Sequence, residues 1–287
     1  MSTILLVEQA LNGLQFGLML FLLASGLTLV FGIMDMINLA HGALYMVGAF
    51  FAAWLAPIVN SFWLAIVLAV PLTAIVGMLL ESTLLRTLYQ RDHLAQVLAT
   101  FALILILNEA VRMIWGSDMS LPTPQALSGP VELMPGLYYP SYRLMIIGVG
   151  LIIAVLLWFL VTRTRVGALV RAGASNREMA LAMGVDIPRL FTLVFGVGAA
   201  LCALAGAMLA PLFAVQVGMG ESILIPAFVV IVIGGIGSIR GALVAALLVG
   251  AVDTFGKVLF PAAAGLLVYL LMAAVLLWKP EGLFRIG

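Results

Sequence analysis

A small set of polar residues within an otherwise apolar chain is the first place to look for chemistry. Asp35, Asn38 and His41 follow one another at three-residue spacing, so on a helix they would share one broad face. Such a face would either line a translocation path or join two helix ends by hydrogen bonds, and the bracketing Gly32 and Gly42 favour the second role. One histidine with two oxygen-bearing neighbours is too small a ligand set to predict a metal site.

Two pairs of opposite charges are also spaced for interaction along helices. Glu109 and Arg112 are three residues apart, and Asp253 and Lys257 are four residues apart. Because these spacings put both partners on one helix face, each pair lowers the cost of carrying charge into an apolar span. We interpret both pairs as structural rather than as relays for a transported ion. No cluster of acids, bases or metal ligands suggests an enzyme, and no catalytic residue or cofactor is predicted.

A group of glycines, Gly234, Gly235 and Gly237, gives a third candidate site. Where glycines break a helix, backbone amides become free, and inside a membrane such backbone is tolerated only against protein or a water-filled cavity. These three glycines are therefore our candidates for lining a pore. The alternative is that they only permit a sharp turn between two helices.

The composition indicates which elements must hold these residues in position. Of the 287 residues, 65% are hydrophobic and 9% are charged, and the formal net charge is +1. Soluble domains carry about 45–50% apolar and about 25% charged residues. These values exclude a disordered chain and a nucleic-acid-binding protein, and the lone Cys202 excludes a disulfide scaffold. The sequence therefore predicts an integral membrane protein surrounded by lipid.

Long apolar runs predict an all-α, polytopic transmembrane helix bundle that forms one domain over residues 1–287. Removing the polar stretches 81–93, 116–142 and 163–189 leaves room for roughly nine spans of about 20 residues, within a range of eight to ten. The spans are expected near residues 9–33, 38–57, 62–80, 94–114, 143–162, 190–213, 223–239, 241–260 and 262–279.

Positive charge predicts the orientation of this bundle. Five arginines lie in segment 163–189, two lie in segment 81–93, and Lys279 and Arg285 lie in the C-terminal tail. Because basic segments tend to stay in the cytoplasm, these three segments are predicted to be cytoplasmic. The 116–142 loop has no lysine or arginine and is predicted to be extracytoplasmic. Nine spans then put the N-terminus outside and the C-terminus in the cytoplasm.

Small residues recur at four-residue spacing in several predicted helices. On a helix this spacing forms a flat stripe that a second helix can approach closely, which matters because lipid gives helices no hydrophobic reason to associate. We expect these stripes to serve ordinary packing within the bundle. They are Gly13 and Gly17, then Gly198, Cys202 and Gly206, and then Gly237, Gly241 and Ala245.

The predicted cytoplasmic loop contains a short helix with capping signals at both of its ends. Ser175 and Glu178 have the spacing of a capping box, in which the hydroxyl and the carboxylate each accept a backbone N–H bond. Gly184 can adopt the left-handed conformation that ends a helix. The spacing therefore predicts a two-turn helix over residues 176–183.

Two methionines would give this short helix a soft apolar face. Met179 and Met183 lie one turn apart, and methionine surfaces adapt to the grooves of partner proteins. Asp186 and Pro188 suit the start of the next membrane-crossing helix. The short helix is therefore either a simple elbow between two spans or a rigid lever that docks in a soluble partner, and local physics favours neither.

A family resemblance distinguishes these two interpretations. The sequence EMALAMG at 178–184 is similar to the E-A-A-x-x-x-G motif of ABC importer permeases, with Met179 in the middle position. In that family the loop forms a coupling helix, which sits in a groove of the ATP-hydrolysing subunit. The later I-x-L-P part of the motif is absent, and VFGV at 194–197 stands in its place. This departure indicates a divergent branch of importers.

The branch resembles the branched-chain amino acid permeases of the LivH type. The similarity lies in GLTLVFGIMDMINLAHG at 26–42, MIWG at 113–116, GGIGS at 234–238 and KPEGL at 279–283. These blocks follow the family's order and extend over essentially the whole chain. They are specific together, although each alone would be a weak signal.

The resemblance implies the permease subunit of an ATP-driven, binding-protein-dependent importer in the bacterial plasma (inner) membrane. Its partners would be a second homologous permease, two cytoplasmic ATPase subunits and an extracytoplasmic substrate-binding protein. Because the only lysines, Lys257 and Lys279, lie outside any Walker A motif, this chain is predicted to be a transport subunit and not an enzyme. Coupling to the ATPase would fall to Ser175, Glu178, Met179, Ala180, Met183 and Gly184.

Two alternative functions stay open at the level of sequence. An ion-gradient-driven secondary transporter of small zwitterions would use Asp35, Glu109 or Asp253 as its coupling carboxylate, but it leaves the capped helix unexplained. An importer of the same family for urea or amides would have a similar permease, because the resemblance assigns most of the selectivity to the binding protein.

Overall fold

A bundle of α-helices makes up nearly all of the protein in the computed structural model, which describes residues 3–36, 38–89 and 91–284. Arg285, one of the charges used to predict orientation, lies outside the described residues. In chain order the helices are α1 (Thr3–Met34), α2 (His41–Val59), α3 (Phe62–Thr83), α4 (His93–Trp115), α5 (Ser141–Arg163), α6 (Arg165–Ser175), α7 (Arg177–Ala182), α8 (Ile187–Leu209), α9 (Met219–Gly234), α10 (Ile239–Leu259) and α11 (Ala264–Trp278).

Eight helical stretches in the described ranges are long and apolar enough to cross a membrane. They are α1 to α5, α8, α10, and α11 together with the short turn before it, whereas the apolar helix α9 has only 16 residues. The all-α, polytopic bundle and the predicted range of eight to ten spans are thereby confirmed. The spans predicted at 62–80 and 94–114 differ from α3 and α4 by at most three residues at any end.

The first helix, α1, runs through the centre of the bundle. From Leu18 to Val30 every residue is buried, and a helix that is apolar on all sides belongs in a core. α1 packs against α8 and α10, and α2 packs against α8 and α3. The outer helices α3, α4, α5 and α11 expose most of their apolar surface, as expected of helices that face lipid or another subunit.

Small residues let these central helices approach one another closely. A Cβ added to Gly17 of α1 would lie 2.8 Å from the carbonyl oxygen of Ala246 in α10. A Cβ added to Gly206 of α8 would overlap the carbonyl oxygen of Tyr45 in α2. The predicted role of these stripes in packing within the chain is confirmed at both contacts.

Two short antiparallel strand pairs lie at one end of the bundle. The pairs are β1 (Asp118–Met119) with β4 (Val215–Gln216), and β2 (Pro130–Met134) with β3 (Leu137–Pro140). Gly136, with a φ of 84°, forms the turn of the β2–β3 hairpin. The sequence predicted this region only as a loop, because the strands are short and prolines occur at their ends.

The helices run between two ends of the bundle, which we call the hairpin end and the α7 end. At the hairpin end, the Tyr139 hydroxyl donates to Asn12 Oδ1 of α1 at 3.0 Å. At the α7 end, Arg177 donates to the last carbonyl groups of α1, those of Ile33 and Met34. α1 begins at the hairpin end, and the segment after α11 packs against Gly235, in a turn that meets α1 at Gly32 near the α7 end.

Candidate functional site

The loop over residues 163–189 contains two helices rather than the single predicted one. α6 begins after Thr164, whose Oγ1 accepts the Gly167 N–H at 3.1 Å. It packs through Gly167, Val170 and Gly173, which share one face because they are three residues apart. Val166 and Ala174, four residues before and after Val170, also pack against the core. The sequence therefore carried a helical pattern over α6 that the prediction of a single helix in this loop did not use.

Asn176, and not Ser175, is the N-cap of α7. Its Oδ1 accepts the Met179 N–H at 2.8 Å from an extended backbone with φ −153° and ψ 101°. Ser175 is the last residue of α6, so it cannot take the extended backbone of an N-cap. The predicted capping box of Ser175 and Glu178 is therefore wrong, and α7 is one residue shorter at each end than predicted. Glu178 is exposed in the first turn, where a carboxylate interacts favourably with the helix dipole.

The C-terminal end of α7 is closed by backbone hydrogen bonds around Gly184. Gly184 has a φ of 84°, and its N–H donates to Leu181 O at 2.9 Å. The Val185 N–H donates to Ala180 O at 3.0 Å, which completes a Schellman motif. The left-handed conformation predicted for Gly184 is confirmed, as is the Asp186 cap at the start of α8.

The two predicted methionines, Met179 in α7 and Met183 at its C-cap, are both exposed. Met179 is 62% exposed and Met183 is 79% exposed, while Ala180 between them is buried. Leu181 is also half exposed on the same short helix. A doubly capped helix therefore presents a compact apolar surface, and adaptable apolar surfaces of this kind serve protein contacts.

The corrected cap gives a first testable prediction, with a control one residue away. Asn176→Ala removes the side chain that accepts the Met179 N–H, which costs about 1 kcal/mol and should speed hydrogen exchange of that amide roughly fivefold. Ser175→Ala should leave this exchange unchanged. Hydrogen exchange read at the Met179 amide in detergent-purified protein checks both variants. Faster exchange of the Glu178 amide in Ser175→Ala, with no change at Met179 in Asn176→Ala, would instead support the capping box.

A buried carboxylate lies beside this loop, at a position that sequence reasoning missed. Glu81 of α3 is fully buried and accepts hydrogen bonds from the Tyr89 hydroxyl at 2.7 Å and from Thr192 Oγ1 at 2.5 Å. Arg86 Nη2 lies 3.3 Å from Glu81 Oε2. Burial, together with the adjacent Glu81, raises the pKa of Tyr89, so its phenol stays protonated and donates. In the sequence Glu81 opens a polar segment, and nothing there marks it as buried.

The polar residues Asp35, Asn38 and His41 do not share a helix face. α1 ends before Asp35, which has a φ of 50° and is exposed, and α2 begins only at His41. Asn38 and His41 are fully buried. The shared face that a continuous helix would give them is not formed, because the chain leaves the helix between α1 and α2. The turn character indicated by Gly32 and Gly42 agrees with this break.

His41 lies in a space left by glycines of two other helices. A Cβ added to Gly26 of α1 would lie 2.9 Å from His41 Nε2, and one added to Gly198 of α8 would lie 3.0 Å from His41 Cε1. The imidazole ring also packs edge-on against Phe195, with 6.0 Å between the ring centroids. The side chain is therefore fixed by contacts with α1 and α8 together.

The junction between α1 and α2 retains hydrogen-bonding capacity. Asn38 Oδ1 accepts the Ala40 N–H at 3.1 Å, which shapes the turn into α2. Within the part of the chain that the structure describes, Asn38 Nδ2 and both ring nitrogens of His41 lack a partner. Burying a polar group unpaired costs about 1–3 kcal/mol. These atoms can therefore bond to water or to a transported molecule, so Asn38 and His41 stay candidates for the pore, whereas Asp35 is exposed at the α7 end.

The candidate pore glycines form a tight turn between α9 and α10. Gly235 and Gly237 have φ values of 95° and 80°, conformations that favour glycine. Gly234 lies against the backbone of Gly241. Gly237 lies close to α1, because a Cβ added to Gly32 would be 3.0 Å from Gly237 Cα. The sharp turn considered from the sequence is present, and a pore-lining role for the three glycines stays a prediction.

The two predicted charge pairs form within their helices. Arg112 Nη1 lies 3.0 Å from Glu109 Oε2 on α4, and Lys257 Nζ lies 2.6 Å from Asp253 Oδ2 on α10. The intrahelical pairing predicted from their spacing is confirmed. Both carboxylates therefore already have a cationic partner in the chain itself.

An open cavity of about 1,170 Å³ lies at the hairpin end. Its walls come from the last turns of α2 and from the segments that follow α4 and α8. Trp115 on its wall packs against Phe50, Phe51 and Trp54 of α2, with ring centroids 5.3 to 6.2 Å apart. The cavity and the α7 surface therefore lie at opposite ends of the bundle.

Comparison with known proteins identifies relatives over nearly the whole chain. The family model described as branched-chain amino acid transport system / permease component matches residues 9–276. The permease protein BraD of a Pseudomonas aeruginosa high-affinity branched-chain amino acid transport system is 30% identical over 291 residues, covering 96% of this chain and 95% of BraD. The corresponding permease LivH of Escherichia coli K12 is 29% identical over 297 residues, with 96% of each chain covered. Among solved structures, PsaBC from Streptococcus pneumoniae in complex with Fab aligns with a TM-score of 0.47 and 16% identity, over 93% of this chain and 89% of that one.

Proposed function

Since the chain belongs to the family of branched-chain amino acid transport system permease components, we propose that it is the membrane permease of an ATP-driven, binding-protein-dependent importer of branched-chain, hydrophobic amino acids. It is a multi-pass protein of the bacterial inner membrane and a transport subunit rather than an enzyme. The observation that carries the ATP-driven mechanism is α7, a rigid, doubly capped helix with exposed methionines. A simple elbow between spans would need neither feature.

The proposal puts the α7 end in the cytoplasm. Arg86 and Arg177, from the two most basic segments of the sequence, both contact this end of the bundle, where Arg86 Nη2 donates to Thr192 Oγ1 at 2.8 Å. The 116–142 segment at the hairpin end contains no lysine or arginine. Because positive charge is retained on the cytoplasmic side, this distribution supports an extracytoplasmic hairpin end.

In this proposal α7 is the coupling helix that docks in a groove of a cytoplasmic ATPase subunit. Met179 and Met183 would supply the apolar contact, and Ala180 would hold the helix against its own bundle. Two ATPases and two permeases, this chain and a homologous partner, would make up the membrane assembly. ATP-driven closure of the ATPases would move α7 and switch the permeases between outward-open and inward-open states.

The hairpin end is the proposed docking face for the substrate-binding protein. The open cavity at this end is lined by Trp115 and by Phe213, which is 61% exposed, and the β2–β3 hairpin at the same end exposes Tyr138. Exposed aromatic residues around a cavity suit a protein contact that must also pass a small ligand. Selectivity would come mainly from the binding protein, and the pore would accept a small zwitterion.

Reconstitution in proteoliposomes tests this function directly. The chain is co-expressed with its ATPase subunits, the second permease and the binding protein, and uptake of labelled leucine is followed against ATP. We expect uptake only when both ATP and the binding protein are present. Uptake driven by a proton or sodium gradient without ATP would overturn the proposal in favour of a secondary transporter using Asp35, Glu109 or Asp253. Uptake of urea or amides in place of leucine would retain the mechanism and correct the substrate.

A further inference from the structure

One arginine connects the short helix α7 to the centre of the bundle. Arg177 Nη2 donates to Ile33 O at 3.0 Å and to Met34 O at 3.2 Å, in the last turn of α1. In the described ranges, no other residue of α7 forms a hydrogen bond, ion pair or ring contact with an element beyond the adjoining loop. Apart from Arg177, α7 packs mainly against α6 and α8, its neighbours in the chain.

The chemistry of this contact favours a firm attachment. The last carbonyl groups of a helix have no partner within it and carry the negative end of the helix dipole, so a guanidinium bonds to them well. The Arg177 guanidinium carbon also lies 4.8 Å from the centroid of the Phe191 ring in α8. A cation over an aromatic face adds a second attraction in the same place. Arg177 is thus held by α1 and α8 at once.

A second set of contacts keeps Phe191 in position beneath the guanidinium. The Tyr89 ring packs edge-on against Phe191 at 5.3 Å between centroids, and its hydroxyl donates to the buried Glu81 at 2.7 Å. The same hydroxyl lies 3.5 Å from Met34 Sδ. Because Phe191 is itself buried, it has little freedom to move away from Arg177. Glu81 and Tyr89 therefore hold Phe191 in place, and Phe191 in turn holds the Arg177 guanidinium against the end of α1.

The end of α1 leads directly to the polar junction before α2. In α1, 18 of the 32 residues are buried, so the helix is held on all sides along its central part, and its Gly26 forms part of the space around His41. A displacement of the α1 end would therefore change the surroundings of Asn38 and His41, which retain unused hydrogen-bonding atoms.

We propose that Arg177 is the positioning residue that transmits movement of α7 to α1 and so to the junction at Asn38 and His41. This inference rests on the proposed function and deepens it, because it names the contact through which ATP-driven movement reaches the transport path. The competing route is the covalent one, through the Schellman turn into α8, and it needs no side chain of α7.

Arg177→Met tests the proposal in the complete reconstituted transporter. Methionine keeps an unbranched apolar side chain but removes the charge and the donors. We expect leucine taken up per ATP hydrolysed to fall at least about tenfold, the size expected for losing hydrogen bonds from a charged group. Co-purification of the ATPase and its basal hydrolysis should stay at the wild-type level, because Arg177 points into the bundle rather than to the docking surface. Arg177→Lys should restore part of the coupling, since it returns a cation without the planar fork.

Arg189→Met is the matched control for the same chemical change. The Arg189 side chain is 89% exposed, and its ion pair is with Asp186 in the first turn of the same helix. This variant should transport at the wild-type ratio. A wild-type ratio in Arg177→Met as well would overturn the proposal and leave the covalent route through α8. Loss of ATPase co-purification in Arg177→Met would also overturn it, because Arg177 would then serve docking.

A readout without ATP separates failure of this inference from failure of the proposed function. In the isolated permease, Arg177→Met should speed hydrogen exchange at the end of α1, where the Asp35 N–H donates to Phe31 O at 2.9 Å, by roughly tenfold. Arg189→Met should not. Unchanged exchange in Arg177→Met would show that the contact does not hold α1. Absence of ATP-dependent uptake in the wild type would instead contradict the importer.

Discussion

Replacing Met183 by aspartate is expected to abolish co-purification of the ATPase subunits while the permease itself still folds and inserts. Met183 is 79% exposed, so folding buries little of it and a polar side chain is tolerated in the free permease. Docking of α7 in an apolar groove would bury the new carboxylate without a partner, which costs several kcal/mol. Affinity should therefore fall by about 100-fold or more. Pull-down of the ATPase with tagged permease measures the effect.

Tyr138→Asp supplies the reciprocal control for Met183→Asp. It makes the same change from an exposed apolar residue to aspartate, but in the β3 strand at the opposite end of the bundle. We expect it to retain the ATPase and to weaken the dependence of uptake on the binding protein. Equal loss of the ATPase in both variants would mean that aspartate merely damages the fold. Full retention of the ATPase in Met183→Asp would contradict the proposal that α7 is the docking surface.

The membrane-spanning helices could largely be predicted from the sequence, because a segment in lipid must be apolar and must satisfy its own backbone hydrogen bonds. Continuous apolar runs of about 20 residues must be helical, so the predicted 62–80 and 94–114 spans agree closely with α3 and α4. α1 begins at Thr3 instead of near residue 9, because the polar Glu8 and Gln9 interrupt the apolar run without breaking the helix. Apolar pattern thus gives the location of a span better than its ends.

The cap of α7 was harder to predict from the sequence, because either of two neighbouring polar residues could serve as the N-cap. Ser175 and Asn176 are both good capping residues, and the choice between them is made by α6, which continues through Ser175. The prediction of one helix in this loop left out α6, although Val166, Val170 and Ala174 recur at helical spacing. The spacing therefore indicated a capped helix correctly but assigned its cap to the wrong residue.

Contacts between distant parts of the chain were beyond the reach of the sequence. Arg177 bonds to a carbonyl group 144 residues away, and Thr192 bonds to Glu81 across 111 residues. Local propensity and periodicity carry no information on such pairs. In the sequence, nothing around Arg177 distinguishes it from the other arginines of its loop. Only the packing of α8 against α1 and α3 brings these groups together.

The packing of α2 against α8 gives the second prediction with a large expected effect. Gly206→Ala adds one methyl group where it would overlap the carbonyl oxygen of Tyr45, a backbone atom that cannot rotate away. One turn earlier in α8, Ala203 already fills the corresponding space beside Gly48, so α8 cannot shift along this contact to relieve the clash. We expect a loss of about 2–3 kcal/mol and a decrease in Tm of roughly 5–10 °C, measured by thermal unfolding in detergent.

Gly148→Ala separates this packing effect from the general effect of replacing a helical glycine. Gly148 lies inside α5, and a Cβ added there would meet no atom within 4 Å. Because alanine favours a helix over glycine by about 1 kcal/mol, this variant should be neutral or slightly stabilised. A similar Tm for both variants would contradict the close α2–α8 contact. Since α2 carries His41 and α8 carries Gly198 beside it, the same result would also remove the physical basis for a fixed His41 at the junction.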